Sequence, residues 1–387
     1  MQTFVEHYTL TSALGLGLTQ MRDSLRQGAS GLSNSGWPDC DVPCYLGRVD
    51  ALDQAPPLPA ARISRNNALI ALALAQDGFA ESVQAAVADF GPERVGLVMG
   101  TSTSSIDRTE AAYRSLDEDG RFTEAFRQPL THNPHAPGDF VAAQLGLEGP
   151  RITISAACAS SAKVFASAER WLQQGLVDAV VVGGADSLCL SVIYGFHSLQ
   201  LVSPEPCQPF APDRQGISLG EAAGFALLTR QSGSAQVQLL GVGESCDAYH
   251  MSSAHPDGLG ARLSMQRALA AAGRCMKEID YVNLHGTGTR ANDATEGKVC
   301  GEMLSSNTLA SATKGWTGHT LGAAGIVESV MCLDALVAGF VPGTINTRHS
   351  EAPFELLLES CERSLSCVLT NSFGFGGNNC SVVFART

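Results

Sequence analysis

The segment 151–188 constrains the fold more than any other part of the chain, because it has the pattern of a strand, a helix and a second strand. RITISAAC and AVVVGGADSL are short apolar runs that contain several β-branched residues, and ASSAKVFASAERWLQQG between them has the apolar spacing of a helix. A strand that returns to the sheet through a helix forms a parallel pair with the strand before it. The sequence therefore predicts an α/β fold.

The rest of the chain continues this alternation. Three further stretches have the pattern of strands, namely RVGLVMGTS, QVQLLGVGESCDAY and YVNLHGTGT. Two stretches have the pattern of helices, namely LSMQRALAAAG and TLGAAGIVESVMCLDALVAG. CVLTNSFGFGGNNCSVVFA predicts two strands around a glycine-rich bend. A duplicated α/β unit is one arrangement that this order allows, although periodicity alone does not prove it.

Charge and hydropathy exclude several classes of function. The 387 residues carry a net charge of −13, with 25 Lys and Arg against 38 Asp and Glu, whereas a nucleic-acid-binding face needs concentrated basic residues. The chain has no uninterrupted apolar stretch of eighteen residues, and its first residues lack the pattern of a signal peptide, so we expect a cytoplasmic protein without a membrane span. Arg62 and Arg65 are either a local patch for an acidic partner or two solvated arginines at a helix start.

The twelve cysteines are scattered singly, which indicates a reducing compartment. Cys40 and Cys44 have no second ligand pair nearby, so a structural zinc site is not expected there. Cys158 differs because it lies where a predicted strand ends and a helix begins, among small residues. A helix N-terminus would lower the pKa of its thiol and prepare a nucleophile, while the alternative is a small buried side chain.

Two histidines and one glycine-rich turn lie in loops that follow predicted strands. His285 stands in NLHGTGTRAND, and His319 stands in TKGWTGHTLGAAG, five residues after Lys314. Each alone is more often a structural residue, but ligand sites gather where strands end. The turn NSFGFGGNN can aim a backbone N–H into a cleft and offer Phe375 as an apolar gate, or it is an ordinary hairpin bend.

Three motifs accompany Cys158, His285 and His319, which follow one another in this order: HGTGT, TKGWTGHTLGAAG and NSFGFGGNN. In these features the chain resembles the elongating type I/II β-ketoacyl-acyl carrier protein synthases of the thiolase superfamily. This resemblance covers nearly the whole chain. It implies a thiolase-like fold of two similar halves in α-β-α-β-α layers. Residues 1–230 would carry Cys158, and residues 231–387 would carry the histidines.

The resemblance also implies an activity. Cys158 would take an acyl chain from an acyl carrier protein, with the backbone N–H groups of Cys158 and Phe375 as the oxyanion hole. His285 and His319 would hold the malonyl thioester while carbon dioxide leaves, and the product would be two carbons longer. The family needs no metal or cofactor, because the phosphopantetheine arm of the carrier protein presents the substrates.

Further positions match the family residue by residue. Lys314 and Glu328 match a lysine and an acid that organise the site electrostatically. Thr287 and Thr289 match threonines that bind the phosphopantetheine arm, and Phe375 matches the gating phenylalanine.

The residues of the acyl pocket depart from the family pattern. Thr103 and Phe196 fall where the family lines its acyl tunnel, but a polar Thr replaces the usual aliphatic side chain, and TFVEHYTL lacks the usual V-x-x-T-G-x-G. Three stretches look like the ketosynthases of aryl polyene pigment clusters, namely SRNNALIALALAQ, GTSTSSID and GGADSLCLSVIYGFHSL. That subgroup implies an aryl-primed polyene as substrate and a heterodimer with a chain-length factor, while a homodimer and a primary fatty-acid substrate are the alternatives.

Two related classes fit the sequence less well. Thiolases use a second cysteine in C-x-G, but Cys380 is followed by Ser381 and Val382, and priming enzymes use an asparagine where this chain has a second histidine. A non-catalytic chain-length factor usually loses the nucleophile, which this chain retains. The sequence therefore predicts an elongating acyltransferase.

Overall fold

Strands and helices alternate along the described residues, which are 2–123, 126 and 130–387 of a computed structural model. The strands are β1 Thr3–Ser12, β2 Gly15–Leu16, β3 Leu32–Ser33, β4 Leu46–Gly47, β5 Val95–Gly100, β6 Arg151–Ile154, β7 Ala179–Asp186, β8 Leu219–Gly220, β9 Ala222–Thr229, β10 Val237–Cys246, β11 Tyr281–Leu284, β12 Leu309–Ala312, β13 Phe340–Val341, β14 Cys361–Glu362, β15 Cys367–Gly374 and β16 Asn378–Arg386. The helices are α1 Gly17–Gln27, α2 Arg65–Leu74, α3 Phe79–Phe90, α4 Ile106–Tyr113, α5 Ala136–Leu145, α6 Ser160–Gln173, α7 Leu190–Ser198, α8 Leu259–Ala272, α9 Arg290–Met303, α10 Lys314–Thr317 and α11 Ala324–Ala338.

One continuous sheet holds the strands in the order β6-β5-β7-β9-β1-β10-β16-β15-β11-β12. In the first half, β5 pairs in parallel with β6 and β7, and β9 runs antiparallel between β7 and β1. The second half repeats this order, with β11 parallel to β12 and β15, and β16 antiparallel between β15 and β10. A short antiparallel pairing of β1 with β10, which includes Thr3 opposite Leu239, joins the halves. The predicted division at residues 230 and 231 lies between β9 and β10, and it stays a prediction.

Helices α6 and α11 form the central layer. Each contacts strands of both halves, and the two helices pack against each other. Gly325 of α11 permits this approach, because a Cβ there would lie 2.3 Å from the backbone nitrogen of Ala162. Helices α2, α3 and α5 cover the outer face of the first half, and α8 and α9 cover that of the second. These layers confirm the predicted α-β-α-β-α arrangement.

The helix α11 is the most apolar helix of the core. The stretch Leu321–Ala338 is long and apolar enough to cross a membrane by length and composition, but 89% of it is buried inside the protein. Its Ile326 packs in one cluster with Phe165 of α6 and Phe384 of β16. A fully buried side chain of this size contributes roughly 1.5–3 kcal/mol to the free energy of unfolding. The apolar character of α11 is therefore that of a buried core helix.

The N-termini of α6 and α11 meet in the middle of the molecule. The backbone N–H of Ile326 donates to Ser161 Oγ at 2.9 Å, which ties the first turns of the two helices together. The segments that precede these helices, 155–159 and 318–323, are consequently neighbours. This junction brings the first half's cysteine and the second half's histidines to one place.

The two outer strands of the sheet differ in exposure. In β6, Arg151 and Ile152 are exposed, and Ile152 retains 38% of its accessible surface. In β12, Ala310, Ser311 and Ala312 are buried. The first half therefore ends in an open edge, and the second half does not.

Candidate active site

Cys158 lies on a strained turn between β6 and α6. Ala157 before it has φ +49°, a left-handed conformation that costs a non-glycine residue about 1–3 kcal/mol. The Ser160 hydroxyl donates to the Ala157 carbonyl at 2.6 Å and accepts from the Ala156 N–H at 2.8 Å, which holds the turn. Such strain concentrates at functional sites. The turn leaves Cys158 only 7% exposed, and its side chain lines a cavity.

That cavity has a volume of about 90 Å³ and receives side chains from both halves. Its lining residues are Cys158, Phe196, Leu201, Ile217, Asp247, Ser252, Ser253, Ala254, His285, Thr287, Thr289, Ala291, Asn292, His319, Phe373, Gly374, Phe375 and Asn379. The first half supplies the apolar side chains Phe196, Leu201 and Ile217. The second half supplies most of the polar groups. The cavity thus joins an apolar region to a polar one around the cysteine.

His319 is the closest side-chain partner of the cysteine. Its Nε2 lies 3.1 Å from Cys158 Sγ, and its Nδ1 accepts the backbone N–H of Leu321 at 3.3 Å. Because Nδ1 acts as the acceptor, the proton of the neutral ring is assigned to Nε2, which faces the sulfur. Burial lowers the pKa of His319 well below its ordinary value, and the charge of Lys314 lowers it further. His319 is therefore a neutral N–H donor at pH 7.

His285 is fixed in the same tautomer by a different partner. Lys314 Nζ donates to His285 Nδ1 at 3.2 Å and to the His285 carbonyl at 2.5 Å, so the ring proton is assigned to Nε2. The His285 and His319 rings meet edge to face, with centroids 5.5 Å apart. Burial lowers the pKa of His285 well below its ordinary value, and Lys314 and His319 add to this. The site thus holds two neutral imidazole donors.

Lys314 and Glu328 form a buried ion pair behind the histidines. They are 1% and 2% exposed, and the lysine ammonium donates directly to the glutamate carboxylate. Burial raises the pKa of Glu328 to about 7, and the lysine charge opposes that rise. The pair fixes the ammonium that sets the tautomer of His285. The organising role that the sequence predicts for both residues stays a prediction.

The pKa of Cys158 differs from the expectation drawn from its helix N-terminus. Burial raises the pKa of the thiol to about 11, although the Lys314 charge and the Phe375 N–H favour the thiolate. The expected depression of this pKa is therefore wrong for the resting site, because loss of water outweighs the favourable dipoles. Cys158 is therefore a neutral thiol at pH 7.

Phe375 occupies the turn that faces the cysteine. Its backbone N–H favours the thiolate form of Cys158, and the preceding Gly374 packs closely, since a Cβ there would lie 3.1 Å from the Cys158 nitrogen. The ring of Phe375 lies 5.8 Å from the ring of Phe196, and both line the cavity. The structure therefore brings both predicted phenylalanines to the site.

The predicted threonines separate into two groups. Thr287 and Thr289 line the cavity, and their hydroxyls lie 2.8 Å apart. Thr103 is not among the lining residues that the structure describes, because its hydroxyl and its N–H both bond to Asp186, at 2.7 and 3.0 Å. Its predicted contact with the acyl chain stays a prediction.

Two buried acids that sequence reasoning missed hold the HGTGT loop. Glu296 accepts the N–H groups of His285 and Gly286 at 2.8 and 2.7 Å, and Asp293 accepts that of Thr287 at 3.0 Å. Burial raises the pKa of Glu296 to about 7. The only sequence signal was a pair of acids near a helix start, which is common on solvated helices.

Cys158, His285 and His319 also have the residue types of a metal site, and one ligand atom from each lies within 4.8 Å of the others. A metal bound to the Nε2 atoms would require protons on both Nδ1 atoms. Those atoms already accept from Lys314 and Leu321. The donor set therefore does not fit a metal, and the prediction that the reaction needs no cofactor stays a prediction.

Comparison with known families agrees with the geometry. Residues 52–234 match the model described as beta-ketoacyl synthase, N-terminal domain, and residues 237–348 match the beta-ketoacyl synthase, C-terminal domain. The chain belongs to the β-ketoacyl synthase family. It is an acyltransferase-type condensing enzyme that elongates chains on an acyl carrier protein, as the motifs predict.

Individual relatives of this ketosynthase support the assignment. The 3-oxoacyl-[acyl-carrier-protein] synthase 2 of Vibrio cholerae is 35% identical over 80% of this chain and 82% of its own length. Nodulation protein E of Rhizobium sp. (strain N33) is 33% identical over 76% of each chain. Among solved structures, the ketosynthase ApeO, in complex with its chain length factor ApeC, from Xenorhabdus doucetiae is 38% identical, with a TM-score of 0.90 and coverage of 100% of this chain and 98% of its own.

Proposed function

We propose that Cys158 carries the growing acyl chain and that His285 and His319 activate the malonyl unit that extends it. The observation that carries this proposal is the pair of neutral Nε2–H donors at the cysteine, one of them 3.1 Å from its sulfur. A general base would need a free Nε2 lone pair. Two fixed donors are instead suited to stabilising negative charge on a thioester oxygen.

In the first step, the Cys158 sulfur attacks the carbonyl of the carrier-bound acyl thioester. The carbon–sulfur bond to the carrier breaks, and the proton of Cys158 goes to the departing carrier thiol. The backbone N–H groups of Cys158 and Phe375 stabilise the tetrahedral oxyanion. In other enzymes, removal of one such donor raises the activation free energy by about 2.7–4 kcal/mol. The thiol stays neutral until this attack, which is consistent with its raised pKa.

In the second step, the malonyl carrier thioester replaces the free carrier, and its carboxylate leaves as carbon dioxide. The released electron pair forms an enolate whose oxygen accepts from the Nε2–H groups of His285 and His319. The enolate carbon then attacks the acyl thioester on Cys158. The carbon–sulfur bond breaks, a solvent proton restores the thiol, and the β-ketoacyl product remains on the carrier.

For the primer, we propose an aryl or polyenyl chain. Support comes from the aromatic rings of Phe196 and Phe375 at the apolar end of the cavity, since flat conjugated chains stack on such rings. The resemblance of GTSTSSID and GGADSLCLSVIYGFHSL to aryl polyene ketosynthases supports the same choice. A saturated fatty-acyl primer is the alternative outcome of the test below.

For the assembly, we propose a heterodimer with a chain-length factor, formed through the open edge of β6, in the cytoplasm. An exposed edge strand invites pairing with another chain, and Ile152 adds apolar area beside it. The ketosynthase ApeO, which has 38% identity to this chain, was solved in complex with its chain length factor. A homodimer through the same edge is the competing outcome.

The test is acyl transfer followed by intact-mass measurement. Wild-type protein incubated with aryl-polyenyl or saturated acyl carrier protein should gain the mass of the acyl group, and Cys158→Ala should gain none. We expect faster labelling by the aryl-polyenyl substrate. Absence of any adduct on folded wild-type protein would refute the role of Cys158, and faster labelling by the saturated chain would refute the primer.

A further inference from the structure

Asp186 is a buried carboxylate that takes no part in the proposed reaction steps. It ends β7, and 0% of its surface is exposed. Its oxygens accept the backbone N–H groups of Ser102 and Thr103 at 3.0 Å and that of Gly322 at 2.6 Å. They also accept the hydroxyls of Thr101, Ser102 and Thr103, at 2.5, 2.5 and 2.7 Å. Asp186 is therefore a firm anchor, because hydrogen bonds to a charged acceptor are stronger than neutral ones.

The donors to this anchor come from both halves of the chain. Ser102 lies in the loop after β5, and Gly322 lies 220 residues later, in the segment before α11. Their approach is close, because a Cβ on Gly322 would lie 2.6 Å from the Ser102 nitrogen and 2.7 Å from Asp186 Oδ2. The same segment contains His319. Asp186 therefore ties the loop after β5 to the segment that carries this histidine.

The imidazole of His319 depends on this tie. The backbone of His319 pairs with the segment 218–220 through two hydrogen bonds, of 2.7 and 2.9 Å, but these do not reach the ring. The ring is held by Leu321, whose N–H donates to Nδ1 at 3.3 Å. Leu321 has φ +56°, a left-handed conformation that persists in a non-glycine residue only when its surroundings impose it. The bond from the adjacent Gly322 to Asp186 is the contact that imposes it.

We propose that Asp186 is a positioning residue, which holds the Gly322 N–H and so fixes the turn that keeps His319 as an Nε2–H donor. This rests on the proposed function, since it assumes that His319 donates to the malonyl enolate. Asp186 is absent from the described residues that line the cavity, so it acts through the histidine and does not touch the substrate. Without the anchor, part of the population would carry the proton on Nδ1 and present a lone pair to the enolate oxygen, which it repels.

The experiment compares three variants of the full chain. Asp186→Ala removes the anchor. Asp186→Asn keeps its shape but has only one acceptor oxygen, so its amino group must face an N–H donor from one of the two joined segments. Thr101→Val is the matched control, because Thr101 is equally buried and donates to the same carboxylate, while the Gly322 bond stays in place.

The tautomer of His319 is the direct readout. In protein labelled with ¹⁵N-histidine, NMR distinguishes a protonated from an unprotonated Nδ1, and the spectrum of His319→Ala identifies the signal. We expect an unprotonated Nδ1 in the wild-type protein and in Thr101→Val. Both Asp186 variants should show a mixture of tautomers, because the Leu321 N–H no longer holds the ring.

The two reaction steps are measured separately. Release of labelled carbon dioxide from malonyl-carrier protein should fall about 100-fold in Asp186→Ala and about tenfold in Asp186→Asn, because one fixed donor is lost wholly or in part. Acyl loading of Cys158, followed by intact mass, should change less than about threefold, since it uses the backbone oxyanion hole. Thr101→Val should keep both rates within about twofold.

A wild-type tautomer in Asp186→Asn would overturn the positioning role, even if Asp186→Ala fails to fold. An equal change of tautomer in Thr101→Val would overturn it too, because any loosening of the loop after β5 would then be sufficient. If the tautomer changes only in the Asp186 variants but wild-type protein does not decarboxylate malonyl-carrier protein, the positioning role stands and the proposed function fails.

Discussion

The two halves of the molecule share one strand order but use it differently. The loop after β6 contains Cys158, and the matching strand β12 is followed by α10, which begins at Lys314 and leads to His319. The loop after β5 wraps around Asp186, whereas the loop after the matching strand β11 turns His285 into the cavity. The repeated fold thus fixes where loops converge, and the residues in each loop decide which half supplies the cysteine and which supplies the histidines.

The outer strands extend this contrast. On β12, the Leu357 N–H donates to the Ala310 carbonyl and the Ala312 N–H donates to Thr344 Oγ1, so a later segment of the same chain covers that edge. β6 has an exposed Arg151 and Ile152 instead. The same edge position is therefore closed within the chain in one half and left open in the other.

The largest expected effect comes from removing one histidine of the second half while Cys158 of the first half stays intact. His285→Ala and His319→Ala should each slow malonyl decarboxylation about 10²–10³-fold, because each removes one fixed N–H donor to the enolate. Acyl loading of Cys158 should continue in both. Release of labelled carbon dioxide and intact mass measure the two steps separately. Normal decarboxylation by either variant would contradict the assigned division of roles.

The protonation state of the nucleophile gives the next effect. Since the pKa of Cys158 is about 11, its thiolate fraction should rise about tenfold per pH unit between pH 7 and 9. The rate of iodoacetamide labelling of Cys158, corrected for the background labelling of Cys158→Ala, should follow this slope and increase about 100-fold from pH 7 to pH 9. A rate that levels off below pH 8 would mean that the helix N-terminus outweighs burial after all.

The open edge predicts a smaller effect on assembly. Ile152→Arg should weaken association with the partner chain about tenfold or more, because it places a charge in the apolar part of the edge. Leu259→Arg on the second half is the matched control, since Leu259 is 54% exposed and lies on α8. Light scattering after co-expression with a chain-length factor measures the association. Equal assembly by both variants would place the interface elsewhere.

The smallest effect concerns the arm of the substrate. Thr287→Val should raise the KM for malonyl-carrier protein about fivefold with little change in kcat, because it removes a neutral hydrogen bond. Thr289→Val is a poorer probe, since the Thr289 side chain also caps α9 by accepting the Asn292 N–H at 3.3 Å. A drop in kcat alone would argue that Thr287 supports the histidines.

Local sequence patterns located most of the elements and the main site residues. The strand predicted in RVGLVMGTS is Val95–Gly100, and the helix predicted in ASSAKVFASAERWLQQG is Ser160–Gln173. Cys158, His285 and His319 were found because the family motifs stand close around them in the sequence. These features depend on neighbours within a few residues, which is the range over which apolar periodicity and motifs are informative.

The sequence by itself predicts which residues carry the chemistry and determines most of the strands and helices that hold them. Only the tertiary structure decided their state. The raised pKa of Cys158 depends on burial, the Nε2–H tautomer of His285 depends on Lys314, and the separation of Thr103 from the cavity depends on Asp186. Burial and hydrogen-bond partners arise from contacts between residues that are far apart in the chain, and no local pattern encodes them.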